Sequence, residues 1–343
     1  MSIQIILLGI LAILAIAGIV AILHQLKDGF KKTNLNDQYV WGIYIQGCFF
    51  LSSISVGILM IIAVLLLLNI QGLEPLIRAG NVIAFSFLLG AQVLLGIDLG
   101  KPMRALSMIK SKNFRSPLTL DFYTMGLSTL LSLVFLLRLV PAGSVLSGIW
   151  AILILAAGSL CVAAHTMFFL SRIKGGFQSN PFMGLETLLY SLLGGMAVLA
   201  LLGMIYETGL HVVAPVMLVI SILLIAAIMS HKIALLTMDK KQDGKVILLL
   251  NGLVLILLAV NQFLVENSYL VVVAAIFALI GLFMEKYERV IYSQSMNIIP
   301  EPYSQFIDKK VYRPSFKEWN VIVGSLSVCI LFSYGVLYLN IGL

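Results

Sequence analysis

The sequence predicts an all-α polytopic membrane protein of about ten transmembrane helices. Three observations predict it: an apolar content too high for a soluble domain, a train of apolar runs, and basic residues confined to alternate loops. Hydrophobic residues make up 61% of the 343-residue chain and charged ones only 11%, with a mean hydropathy of +1.07. A soluble domain of that size cannot hide so much apolar surface, so the solvent is lipid.

The runs come in order. Crossing hydrocarbon takes roughly 20 apolar residues in a helix. Such runs lie near Ile3–Leu23, Trp41–Leu68, Pro75–Ile97, Pro117–Leu139, Gly148–Ser171, Met183–Tyr206, Val212–His231, Val246–Val265, Ser268–Tyr287 and Glu318–Tyr338. The first is too long for a usual signal-peptide core and lacks a basic segment before it, so it reads as a retained helix. The spans form a single integral membrane domain over residues 1–343.

Every Lys and Arg except Arg78 and Arg138 falls on one set of alternating loops, from Lys27–Lys32 through Lys101–Arg115 and Lys232–Lys245 to Lys286–Lys317. By the positive-inside rule that basic face is cytoplasmic and both termini lie outside. The net charge of +7 is therefore a topology signal, with no nucleic acid implied. The longest connection, Tyr292–Lys317, carries Pro300, Pro302 and Pro314 with Tyr292, Tyr303, Tyr312 and Phe316, and Trp319 follows it. It reads either as an interfacial strap over residues 291–317 with an aromatic belt, or as a partner-docking surface.

Cys48, Cys161 and Cys329 lie far apart in apolar runs with no CxxC pair, so neither a disulfide framework nor a metal or Fe–S site is expected. Haem is disfavoured as well, because His24 and His231 sit at helix ends, His211 lies on the opposite face, and His165 lacks a mate. HExxH, GxSxG and P-loop patterns are absent.

Ionisable groups inside membrane helices are costly and usually functional. Here they gather towards the basic face: Tyr44 and Gln46 opening the second span, Gln92 and Asp98 closing the third, Asp121 and Tyr123 opening the fourth, His165 in the fifth, Glu186 and Tyr190 opening the sixth. One polar pocket near that face is the simplest inference, with Asn261 and Gln262 the main polar groups of the other half. Each member also has a plainer reading. Glu186 fits a helix N-terminal dipole. Asp98 sits at the wrong end of a helix for the dipole and points to a clasp with Arg104. His165 lies about 10 Å inside the end of its helix, where an imidazole is either a packed core group or a proton relay.

Several stretches stand out together. They are Trp41-Gly-Ile-Tyr-Ile-Gln with Ser52-Ser-Ile-Ser-Val-Gly57, and Asp98-Leu-Gly-Lys-Pro-Met-Arg104 with Ser116-Pro-Leu-Thr-Leu-Asp121. His165-Thr-Met-Phe-Phe with Asn180-Pro-Phe, and Tyr312-Arg-Pro-Ser-Phe-Lys-Glu-Trp319, complete the set. Together these stretches resemble the NrfD/PsrC family, quinone-interacting membrane subunits of polysulfide-reductase-type complexes in prokaryotic cytoplasmic membranes. Lys101 departs from the family's usual arginine, which puts a bidentate contact there in doubt.

The resemblance implies two four-helix bundles, helices two to five over about 41–171 and six to nine over about 183–287, flanked by helices one and ten. It implies a quinone, menaquinone or ubiquinone, bound near the face where an Fe–S cluster subunit docks, with a further catalytic or cytochrome subunit beyond. On that reading His165, Asp121 and Glu186 carry protons, Tyr44, Gln46, Tyr123 and His165 surround the head group, and Asp98 with Arg104 shapes the site. In better-known relatives this face is extracytoplasmic, whereas charge places it inside here. The rivals are a proton-translocating or secondary-transporter module, hinted at only by Gly194-Gly195, and a passive anchor whose polar groups merely join helices.

Overall fold

The computed structural model describes residues 2–29, 33–100, 110, 111, 113–140, 143–172, 181–237, 245–295 and 311–339. Ten long helices account for nearly all of them. They are α1 (Ser2–Asp28), α2 (Ile43–Leu67), α3 (Glu74–Asp98), α4 (Pro117–Leu136) and α5 (Val145–Arg172). The second half holds α6 (Met183–Ile205), α7 (Leu210–Thr237), α8 (Lys245–Phe263), α9 (Ser268–Val290) and α10 (Phe316–Tyr338). All ten are long and apolar enough to cross a membrane, and hydrocarbon leaves the backbone no partner but itself.

The ends differ from the sequence expectation by a few residues, for local reasons. Pro75 and Pro117 open α3 and α4, where a missing N–H costs nothing. Ser116 occupies the N-cap position of α4, yet its side chain makes no capping bond. Ser315 and Glu318 instead build a full capping box and start α10 at Phe316, ahead of the predicted Glu318. α9 runs on to Val290, past the predicted Tyr287. That extension takes Arg289 out of the basic loop, and both it and Lys286 are buried in the interior.

α2 to α5 close into one ring of contacts and α6 to α9 into a second. α2 is shared, packing on α6 and α9 as well as on α3 and α5. Its most apolar stretch is 78% buried, against 11% for α1, which leans on α10 at the edge. Two glycine contacts set the closest approaches. A Cβ at Gly57 would lie 1.8 Å from the Ser191 carbonyl oxygen, and one at Gly195 would lie 2.5 Å from the Gly57 carbonyl carbon. Gly18 and Gly324 bring α1 and α10 together in the same way. Small residues permit such approach, and packing gained this way drives helix association in lipid.

Alternation of the helices brings the start of each even-numbered one to the end of each odd-numbered one. Tyr44 of α2 meets Gln25 of α1, and Gln46 meets Phe283 of α9. Asp121 of α4 meets His165 of α5, and Glu186 of α6 meets Arg289 of α9. All these contacts lie at one end of the bundle.

The glycine crossing gives a direct test. Gly57→Ala drives a methyl into backbone rather than into a flexible side chain, and should cost at least about 1–3 kcal/mol. Gly126→Ala, in open space on α4, should be neutral or gain up to ~1 kcal/mol. Thermal unfolding of the two variants in detergent measures the contrast.

Candidate functional site

The single pocket expected near the basic face resolves into three buried polar clusters. The first joins α4 and α5. Asp121 sits in the second turn of α4 because Pro117 fixes where that helix starts. Its Oδ1 lies 2.9 Å from His165 Nε2, with both side chains 1% exposed. Cys161, one helical turn before His165, places its Sγ 3.8 Å from Asp121 Oδ1 and 3.7 Å from His165 Nε2. Ser52 Oγ of α2 stands 3.4 Å from the same nitrogen. Phe49 meets the imidazole edge-on at 4.8 Å between centroids.

The carboxylate favours a proton on Nε2 and so leaves Nδ1 as the acceptor. Nδ1 and Asp121 Oδ2 are both buried without a hydrogen-bond partner among the described residues. A carboxyl–imidazole pair with one free atom on each side can take a proton from one neighbour and pass it to another. His165 therefore does have a mate, a carboxylate instead of the second imidazole that haem would require.

The second cluster joins α6 and α9. Arg289 Nη2 lies 2.8 Å from Glu186 Oε2, and its Nε pairs with Glu285 one turn earlier. Lys286 Nζ lies 2.9 Å from Glu285 Oε2. Arg289 Nη1 also donates to Thr187 Oγ1 at 3.0 Å and touches Met183 Sδ. Phe169 of α5 offers its ring to both cations, at 5.4 Å from Lys286 Nζ and 5.5 Å from Arg289 Cζ. Two acids and two bases share a water-poor interior, so each charge is compensated.

Glu186 thus has a specific partner beyond the helix dipole. Sequence reasoning missed this set because Lys286 and Arg289, at the edge of an apolar run, counted with the basic loop, and Glu285 beside them was not singled out. The spacing of Glu285 and Arg289, four apart on one helix face, was the available signal.

The third cluster gathers α1, α2, α3 and α10. Tyr44 donates to Gln25 Oε1 at 2.8 Å. Tyr312 donates to Glu318 Oε1 at 2.6 Å and accepts from the Ile43 backbone N–H at 3.1 Å. Glu318 Oε2 accepts from the backbone of Ser315 and Asn34 at 2.7 and 3.2 Å. The segment before α10 is thereby tied to the segment before α2. Burial, and then the bond to Glu318, push the Tyr312 phenol up from its ordinary range. Tyr312 is buried and so leaves the aromatic belt to Tyr292, Phe316 and Trp319, which are exposed. Asp98 is nearby, with Oδ1 buried and without a hydrogen-bond partner among the described residues. Arg104, its expected clasp, lies outside the described residues, as do Lys101 and Tyr303.

The remaining predicted residues make hydrogen bonds elsewhere. Gln46 Nε2 donates to the Phe283 carbonyl at 3.1 Å and bridges α2 to α9. Tyr123 donates to the Ser111 carbonyl at 3.4 Å and packs at a tilt against Phe114. At the opposite end, a cavity of about 330 Å³ is lined by His211, Asn261, Gln262 and Glu266 among others.

Arg289→Met should destabilise the protein by about 3–5 kcal/mol, because it strands Glu186 and leaves Glu285 with Lys286 alone. Glu186→Gln should cost less, since Arg289 keeps Glu285. Equal losses in thermal unfolding would contradict this arrangement.

The family profile described as "Polysulphide reductase, NrfD" matches residues 31–239, more than half of the chain. A Halobacterium salinarum protein, named as a membrane subunit of a dimethyl sulfoxide reductase, is 30% identical over 115 residues. That stretch is 34% of this chain and 26% of the relative, so the match spans about a quarter of the relative's length.

Proposed function

The chain belongs to the polysulphide reductase NrfD family of membrane proteins, and from that premise we propose that it is the quinone-reactive membrane anchor of a multi-subunit oxidoreductase. Quinol gives up, or quinone takes up, two electrons and two protons near the basic face. The electrons pass to or from an Fe–S cluster in a partner subunit, with substrate chemistry in a further catalytic or cytochrome subunit. The partial relative named as a reductase membrane subunit supports such an assembly.

The buried Asp121–His165 pair carries the reading. A quinone head group needs hydrogen bonds at its carbonyls and a route for protons, and this pair keeps an atom free on each partner. Its neighbours Ser52, Cys161 and Phe49 exclude bulk water from it. Asp121 is the proton partner of His165. The ion-paired Glu186 serves at a distance, by holding α9 to α6. A transporter would call for broken helices in paired halves; the described spans run unbroken, with Pro215 inside α7.

On this proposal the basic face is cytoplasmic and receives the Fe–S partner, and both termini are outside. His165→Gln and Asp121→Asn should each lower quinol-linked turnover by about 10²–10⁴-fold, the range of general acid–base catalysis. Assembly with the partner subunits, measured by co-purification and cluster spectra, should be unchanged. Turnover that survives both substitutions would remove the pair from the mechanism. A chain that purifies natively without any Fe–S partner would count against the whole reading.

A further inference from the structure

Asp121, Cys161 and His165 bring a carboxylate, a thiol and an imidazole to one point. All three are buried, and their Oδ1, Sγ and Nε2 atoms lie within 4.8 Å of one another. Cys161 and His165 are four apart on one face of α5, so their ligand atoms project together. Asp121 joins them across the α4–α5 contact, forty positions from Cys161 in the chain. A sequence search for CxxC or HxxxH spacing overlooks such a set.

The separations fit a metal centre. They are 2.9 Å for nitrogen to oxygen, 3.7 Å for sulfur to nitrogen and 3.8 Å for sulfur to oxygen. Zinc-class bonds of about 2.0–2.2 Å to nitrogen or oxygen and about 2.3 Å to sulfur, at tetrahedral angles, put ligand atoms roughly 3.3–3.6 Å apart. The two sulfur distances are within a few tenths of an ångström of that. The nitrogen–oxygen pair has only to open slightly, exchanging one hydrogen bond for two metal bonds.

Charge points the same way. A carboxylate and a thiolate together cancel a divalent cation, so the complex is neutral in an interior that penalises net charge. Thiolate and imidazole donors select the zinc class over magnesium or calcium. Three protein ligands leave a fourth position open, and Ser52 Oγ stands 3.4 Å from His165 Nε2.

We infer that Asp121, Cys161 and His165 form a binding site for a zinc-class divalent cation. Binding breaks the Cys161 S–H bond, forms a metal–sulfur bond and releases that proton, while the His165 ring proton moves from Nε2 to Nδ1 so that Nε2 presents its lone pair, with no change of oxidation state. An occupied site also withholds Nε2 and Asp121 Oδ1 from proton transfer. The inference rests on the geometry of the trio and stands whether or not quinone is the substrate.

Cobalt(II) is the probe, titrated into the metal-free full chain with whatever partner subunits co-purify. One equivalent should bind, with a thiolate-to-cobalt charge-transfer band in the near ultraviolet and a tetrahedral visible spectrum, and zinc should displace it. Cys161→Ser should abolish the charge-transfer band and weaken binding by more than about 100-fold, beyond the loss of an outer-shell partner. Asp121→Asn should weaken binding but keep the band, and Cys48→Ser should leave both intact. Absence of the band in the folded wild type, its survival in Cys161→Ser, or its loss in Cys48→Ser would overturn the site. Loss of quinol turnover in the His165 variant is read separately, so either proposal can fail alone.

Discussion

Hydrocarbon offers no hydrogen bonds, and that single constraint organises the molecule. It forces the backbone into helices, because no other open structure satisfies every N–H and C=O internally. It also forces each polar side chain within a span to find a protein partner or to stay neutral. Serines such as Ser55, Ser191 and Ser221 comply by bonding back to the carbonyl four residues earlier in their own helices. Charged groups have no such local solution. Glu186, Glu285, Lys286 and Arg289 comply only as a set, and the set exists only when α6 and α9 are packed. Tertiary structure and charge compensation are therefore one requirement here.

α2 is where that requirement is met most fully. It packs broadly against helices of both rings. Its serines and glycine are small enough to let α6 approach to backbone contact at Gly57. Its polar end supplies Tyr44, Gln46 and Ser52 to different neighbours: α1, α9 and α5. The central helix of a membrane protein needs a compact face for packing and polar groups for specificity. α2 places the first at mid-span and the second at one end.

Helix number, order and approximate ends were legible because a twenty-residue apolar run can do little in a protein except cross a bilayer. The face holding the polar groups was legible too, because Asp98, Asp121, His165 and Glu186 all fall at matching helix ends. The pairing was not. Nothing in sequence spacing connects Asp121 to His165, which come from two helices whose rotation is set by packing. The same ignorance of rotation merged three clusters into one expected pocket. Lys286 and Arg289 were misplaced for a different reason. A cation near the end of an apolar run looks like a loop residue until its acidic partners on a distant helix are known. The Gly57–Gly195 contact was half legible, since small residues announce close packing without naming the partner.

The first two clusters are neighbours, and what lies between them is aromatic. Phe49 packs against His165 on one side and against Phe169 on the other, at centroid distances of 4.8 and 4.9 Å. Phe169 in turn faces Lys286 and Arg289. A phenyl ring donates no proton and accepts none, so this pair of rings is a barrier to proton exchange by hydrogen-bonded relay. It is a poor barrier to electric fields, because a low-dielectric wall screens charge weakly. A change of charge at the Asp121–His165 pair is consequently felt by the Glu186–Arg289–Glu285–Lys286 set without a proton crossing between them. The compensated set can answer such a change by shifting its own pairings, and one of them, Arg289 with Glu186, holds α9 against α6. Two clusters that look redundant in composition are thus insulated in chemistry and joined in electrostatics, and the aromatic seam between the two bundles makes them so.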